Sequence, residues 1–238
     1  MAELDQQLDY EILKELLNSR EPLGAVNLSI ILGEKYGVSQ ATIGRRLLQM
    51  DHAGYTKKLK NMGRILTQKG IEHLSALNNK LSFENAKKEF LESISPSNIS
   101  DLIDILIARR GLEKEAAFLA AKNADEDIIN QMQEVLLIQK TKISQGISGD
   151  NEDREFHRLI AVASKNKVLL RTIMLLREQN DLTRHFATVR KAIGGKLYDD
   201  HVRILEMIKA KDSRGAYRAI ESHLNKMIKE FQNYIIQK

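Results

Sequence analysis

Asp153, His157, His201 and His223 are the residue types from which a transition-metal site is built. Asp153 and His157 stand four positions apart, which brings both side chains onto one face of a helix. His201 and His223 flank a break at Lys211-Asp212-Ser213, and residue 212 is the midpoint between them. If the flanking stretches fold back as an antiparallel helical hairpin, the two imidazoles arrive at the same level on facing helices. A third helix carrying Asp153 and His157 would then complete a set of one carboxylate and three imidazoles inside a bundle. Those donors suit Zn, Ni, Co, Fe or Mn, and do not suit an all-oxygen Ca or Mg cage. On an octahedral ion they leave two positions for water or a bidentate small acid, whereas a tetrahedral Zn site would be closed and structural. Each histidine alone has a plainer reading as a satisfied or half-exposed side chain, which is what His52, His73 and His185 are expected to be. From these residues alone, both a metal site and a set of packed histidines stay open.

Other enzyme chemistry is absent from the sequence. The residues three before His157, His201 and His223 are Arg154, Tyr198 and Ile220, so there is no Glu-x-x-His of a di-iron bundle. There is no His-Glu-x-x-His, no P-loop and no Gly-x-Gly-x-x-Gly. A metal hydrolase would need a base beside the ion, and Glu155 points off the Asp153/His157 face by helical geometry. Zero Cys removes disulfides, thiolate ligands and cysteine nucleophiles together.

The elements that must position these groups are helical. With 42% hydrophobic, 29% charged and 5% aromatic residues and two Pro in 238, the composition favours a mainly α fold over a β-sandwich. That length accommodates one small and one medium domain. No apolar run is long enough for a membrane helix, and residues 1–10 are polar and acidic rather than a secretory leader. The expectation is a cytoplasmic protein with no membrane partner.

In the first half, apolar spacing predicts a helix over 8–17, a second over 28–36 capped by Asn27, and a third over 40–53 capped by Ser39. Gly37 supplies the turn between the last two. Two short strands, 55–60 and 64–67, follow around a turn at 61–63, and Thr67 caps a helix through Leu77. This order is that of a winged helix-turn-helix over residues 1–78. Between 39 and 70, Arg45, Arg46, Lys57, Lys58, Lys60, Arg64 and Lys69 face a single acid, Asp51. That window is more positive than the whole chain at +5, the footprint expected of phosphate binding or, more plainly, of a solvated face. Ser39, Gln40, Thr42, Arg45 and Arg46 would lie on the reading helix of a DNA-binding head. Arg suits guanine and Gln suits adenine in the major groove. Lys57, Lys58, Lys60 and Arg64 on the wing would meet phosphate or the minor groove.

Residues 79–100 read as a linker, helical over 84–91 and ending in a Ser/Asn-rich stretch around Pro96. From 101 to 238 the pattern predicts amphipathic helices over 101–121, 125–144, 151–164, 167–180, 182–193, 197–210 and 213–236.

This second half resembles the FCD effector-binding domain of the FadR-like branch of the GntR superfamily of bacterial transcription regulators. The likeness is carried by Arg110-Gly111-Leu112-Glu113 with Ala116 and Ala117, by Asp153-Arg154-Glu155-Phe156-His157, by Ala163-Ser164-Lys165-Asn166, and by His201 and His223-Leu224. The resemblance implies an antiparallel all-helical bundle, a divalent metal held by Asp153, His157, His201 and His223, and a small organic acid bound beside or onto it. It also implies a homodimer whose affinity for DNA changes with that acid. The reading segment departs from the family, whose Gly-Val-Ser-Arg-x-Pro-Val-Arg is here Gly37-Val38-Ser39-Gln40-Ala41-Thr42-Ile43-Gly44. It looks more like winged-helix repressors of the heat-shock repressor kind. Arg110 and Asn166 are candidates to orient the effector. Their plainer readings are an i, i+3 pair with Glu113 and a helix N-cap.

The expected protein is therefore a regulator, not an enzyme, binding an operator in double-stranded DNA under control of a small carboxylic acid at a Zn, Ni or similar ion. A metal-dependent hydrolase-like bundle with a winged-helix partner-binding module is the alternative, as is a regulator that senses the metal itself.

Overall fold

Leu8, Ile12, Leu13 and Leu16 recur at helical spacing and form the buried face of α1 (Ala2–Asn18). The computed structural model describes residues 2–60, 62–177 and 198–236, and the chain divides into two units, Met1–Phe90 and Leu91–Lys238. In the first unit α1 is followed by α2 (Ala25–Tyr36) and α3 (Gln40–His52). Leu28 and Leu32 of α2 pack with Ile43, Leu47 and Met50 of α3 against the α1 face. Gly37, at φ 63°, takes the left-handed conformation that lets α2 stop and α3 begin within three residues. The Ser39 hydroxyl accepts from Thr42 N at 3.2 Å, the expected cap. The second helix begins earlier than the sequence suggests, at Ala25 behind Gly24 rather than behind Asn27.

The wing is a two-stranded antiparallel ribbon, β1 (Thr56–Leu59) and β2 (Gly63–Leu66), with Thr56 opposite Leu66. Leu23 adds a third short rung by exchanging backbone hydrogen bonds with Arg64 at 3.1 and 2.9 Å. Gly63 allows this, because a Cβ there would sit 2.6 Å from the Leu23 carbonyl carbon. After the wing, Thr67 accepts from Gly70 N and starts α4 (Gln68–Ser93). This helix runs unbroken through most of the stretch expected as a linker; only residues 94–98, with Pro96, interrupt the helices.

Among the described residues the second unit is a bundle of helices: α5 (Ile99–Asn123), α6 (Glu126–Ser144), α7 (Asp150–Ala163), α8 (Lys167–Arg177), α9 (198–209) and α10 (Ser213–Ile236). Asn98 and Asp101 form a reciprocal capping box on α5, and Asp125 caps α6. The α5 stripe Ala116, Ala117, Ala120 and Ala121 is fully buried, and such small side chains let the neighbouring helices approach closely. α5 packs along α10 and also against α7 and α8. Phe156, Ile160, Ile204, Ile208, Ile220 and Leu224 fill the space between. The predicted helix over 182–193 and His185 lie outside the described residues.

Candidate metal centre

The turn between α9 and α10 is the device that brings His201 and His223 together. Lys211 takes a positive φ of 57°, and the Asp212 carboxylate accepts from Gly215 N at 2.8 Å to open α10. The hairpin closes with the two rings level, their centroids 4.8 Å apart. One turn of α7 supplies Asp153 and His157, and the His157 ring lies 5.2 Å from each of the other two. One donor atom from each of the four residues lies within 4.8 Å of all the others, and all four residues are buried. The convergence expected from spacing is therefore what the fold produces.

Each ring has an acceptor behind its Nδ1. His201 Nδ1 is 3.0 Å from Gln139 Oε1, His157 Nδ1 is 2.5 Å from Glu113 Oε2, and His223 Nδ1 is 3.6 Å from Asp200 Oδ2. The last two are contacts of charge and distance, off the line or beyond the length of a regular hydrogen bond. Acceptors at Nδ1 favour the tautomer with the proton there, which turns the Nε2 lone pairs inward. His157 Nε2 and His201 Nε2 lie 3.8 and 3.4 Å from Asp153 Oδ1. The second Asp153 oxygen is engaged elsewhere, accepting from Arg177 Nη2 at 2.7 Å.

The electrostatics fit the same picture. Burial opposes ionisation of Glu113, but Arg109 and His157 outweigh it and hold the carboxyl at about 2. His223 is pushed down to about 4 by burial, so its ring is neutral near neutral pH, the form a metal requires. Burial likewise opposes ionisation of Asp200, whose contacts to His223 and Lys226 still hold it below the usual carboxylate range. His157 Nε2 and His223 Nε2 are buried with no hydrogen-bond partner. Buried polar atoms of that kind are costly unless something binds them. A divalent transition ion is the group that three inward lone pairs and one carboxylate oxygen could hold.

The two candidate effector contacts also make bonds within the bundle. Arg110 Nη1 donates to Asn225 at 2.6 Å, and the arginine of its own helix that Glu113 meets is Arg109 at 2.7 Å, not Arg110. Asn166 caps α8, accepting from Val168 N and Leu169 N. Glu113, Gln139, Arg177 and Asp200 are the residues around the site that spacing does not single out.

On the winged helix, Gln40 and Arg45 are exposed on α3, Thr42 is half-buried with its hydroxyl 3.1 Å from Ser39 Oγ, and Lys57, Lys58 and Lys60 are exposed on the wing. Two expected DNA contacts are engaged within the unit. Arg46 pairs with Asp5 and Asp9 of α1, and Arg64 is buried with its Nε donating to Asp51 at 2.8 Å.

A winged helix-turn-helix followed by a helical bundle around one buried carboxylate and three buried imidazoles defines a class of two-domain regulator. Residues 104–226, just over half the chain, match the FCD domain family, and the chain belongs to that family, in the GntR class of transcription regulators. Residues 10–74 match the ribonuclease R winged-helix domain. The Uxu operon transcriptional regulator of Escherichia coli is 29% identical over 143 residues, 55% of this chain and 54% of that protein. The HTH-type transcriptional regulator LutR of Bacillus subtilis is 27% identical over 129 residues, 52% and 59% respectively. The chain thus spans little more than half the length of these relatives. The solved structure of E. coli McbR/YncC has the same fold, with a TM-score of 0.51, 18% identity and 97% and 98% coverage. Among the described residues, no helix is long and apolar enough to cross a membrane.

Proposed function

We propose that this protein is a cytoplasmic, homodimeric transcription regulator that holds a divalent transition metal, Zn, Ni or a similar ion, through Asp153, His157, His201 and His223. A small carboxylic acid binds at or beside that metal and alters the affinity of the winged helix for an operator in double-stranded DNA. The observation that carries this reading is the convergence of four buried ligands, two with unsatisfied inward nitrogens, in a chain that also presents a basic winged helix. Asp153 offers one oxygen and each imidazole one nitrogen, so an octahedral ion keeps two positions for a carboxylate. On the DNA side, Gln40 and Arg45 of α3 face outward for base edges. Lys57, Lys58 and Lys60 supply phosphate contacts and hence salt-dependent affinity. A homodimer would place two such heads on paired half-sites.

The test is elemental analysis of protein purified without added metal or a histidine tag, beside the His223→Ala variant. Near one transition metal per chain, lost in the variant, is the expected result. DNA fragments selected by the metal-loaded protein are then titrated with small carboxylic acids. Equal metal content in both proteins, or DNA binding insensitive to every acid, would overturn the corresponding half of the proposal.

A further inference from the structure

We infer that Glu113 and Arg177 are positioning residues for the metal, a coupled pair that fixes how both His157 and Asp153 present themselves. The inference rests on the metal reading above and adds a role for two side chains outside the set of four. Glu113 is buried on α5 and meets three partners at once. Arg109 Nε and Arg177 Nη1 lie 2.7 and 3.1 Å from its Oε1, and His157 Nδ1 lies 2.5 Å from its Oε2. Arg177, at the end of α8, reaches past Glu113 to donate from Nη2 to Asp153 Oδ2 at 2.7 Å and to the Asp153 carbonyl oxygen at 3.4 Å.

Two consequences follow from that geometry. The Glu113 carboxylate can only accept, so beside it a ring proton belongs on His157 Nδ1 and Nε2 is left to coordinate. The guanidinium occupies one oxygen of Asp153, so an ion held there would be bound through Oδ1, with a coordination position left for another group. The two effects share one anchor, because Glu113 also aligns the Arg177 fork. Neutralising Glu113 therefore disturbs both ligands, whereas removing Arg177 releases Asp153 while leaving the His157 contact in place.

Cobalt(II) tests this, since its visible spectrum reports coordination number and its titration reports affinity. The wild-type protein is expected to take one cobalt per chain. Glu113→Gln should bind it roughly 10- to 100-fold more weakly. Arg177→Met should shift the spectrum toward higher coordination as Asp153 engages with both oxygens. Circular dichroism of the metal-free proteins checks folding. If Glu113→Gln does not fold, Arg177→Lys, which keeps the charge but not the fork, must still change the spectrum. Cobalt bound by the wild type with the same affinity and spectrum in the folded variants would overturn this inference alone. No cobalt in the wild type would overturn the metal reading and this inference with it.

Discussion

Gln139 on α6 presents its amide oxygen 3.0 Å from His201 Nδ1 while its Nε2 donates to the Gly149 carbonyl at 3.3 Å. A backbone carbonyl only accepts, so the amide is oriented from one side and the His201 tautomer from the other. The pair links a ring on α9 to the residue that precedes α7, the helix that carries Asp153 and His157.

Replacing Gln139 with Leu removes the acceptor without adding charge. The expected outcome is metal retention weakened by roughly 10-fold, followed by competition with a chelator. Unchanged retention would show that the His201 ring is held by packing alone.

Arg45 and Arg46 are adjacent, yet their expected phenotypes differ. Arg45 is exposed, and its replacement by Ala should weaken binding to a verified operator by about 1–3 kcal/mol without changing thermal stability. Arg46 is held by Asp5 and Asp9, so Arg46→Ala should lower the melting temperature. Titration of both variants against the same operator, beside melts, separates the two; equal behaviour would refute the distinction.

Asp51 accepts from Arg64 Nε at 2.8 Å and from the Thr56 hydroxyl at 2.5 Å, tying the end of α3 to both strands of the wing. Asp51→Ala leaves a buried guanidinium without its carboxylate and should cost about 2 kcal/mol in denaturant unfolding of the first unit. A loss within experimental error would mean that water replaces the carboxylate freely.

The metal-free protein should also be sensitive to acid. Burial lowers the folded value of His223 from 6.5 to about 4, so between those values the unfolded chain takes up a proton that the folded bundle refuses. Stability is then fully present above 6.5 and falls as pH drops toward 4. Thermal melts of chelator-treated protein across that window should show the decline, and His223→Phe should flatten it. A wild-type melting temperature constant over the window would contradict the assignment.

Much of this arrangement is legible in the residues themselves. Period 3.6 apolar patterning locates the described helices, and the equal distance of His201 and His223 from residue 212 foretells their level placement. The Ser39 and Thr67 caps and the Gly37 turn are local chemistry and appear where expected. What local pattern does not carry is the partner of a charge. Arg45 and Arg46 look alike in sequence, and only the approach of α1 separates an outward side chain from a paired one. Arg64 follows the wing turn as a phosphate contact would, yet Asp51, 13 positions earlier, claims it. The contacts of Glu113, Gln139 and Arg177 at the site are hidden for the same reason: each is made with a neighbour on another helix. The continuity of α4 is hidden by a polar middle with no buried stripe to mark it.

Asp153 and His223 stand 70 positions apart in a chain that has no cysteine. In the proposed site an ion shared between them would join distant parts of the chain, and because it would bind the folded bundle and not the unfolded chain it would stabilise by mass action. Unlike a disulfide, such a link would open with a chelator rather than a reductant. The abundance of that ion in the surroundings would then be a variable of the folding equilibrium itself.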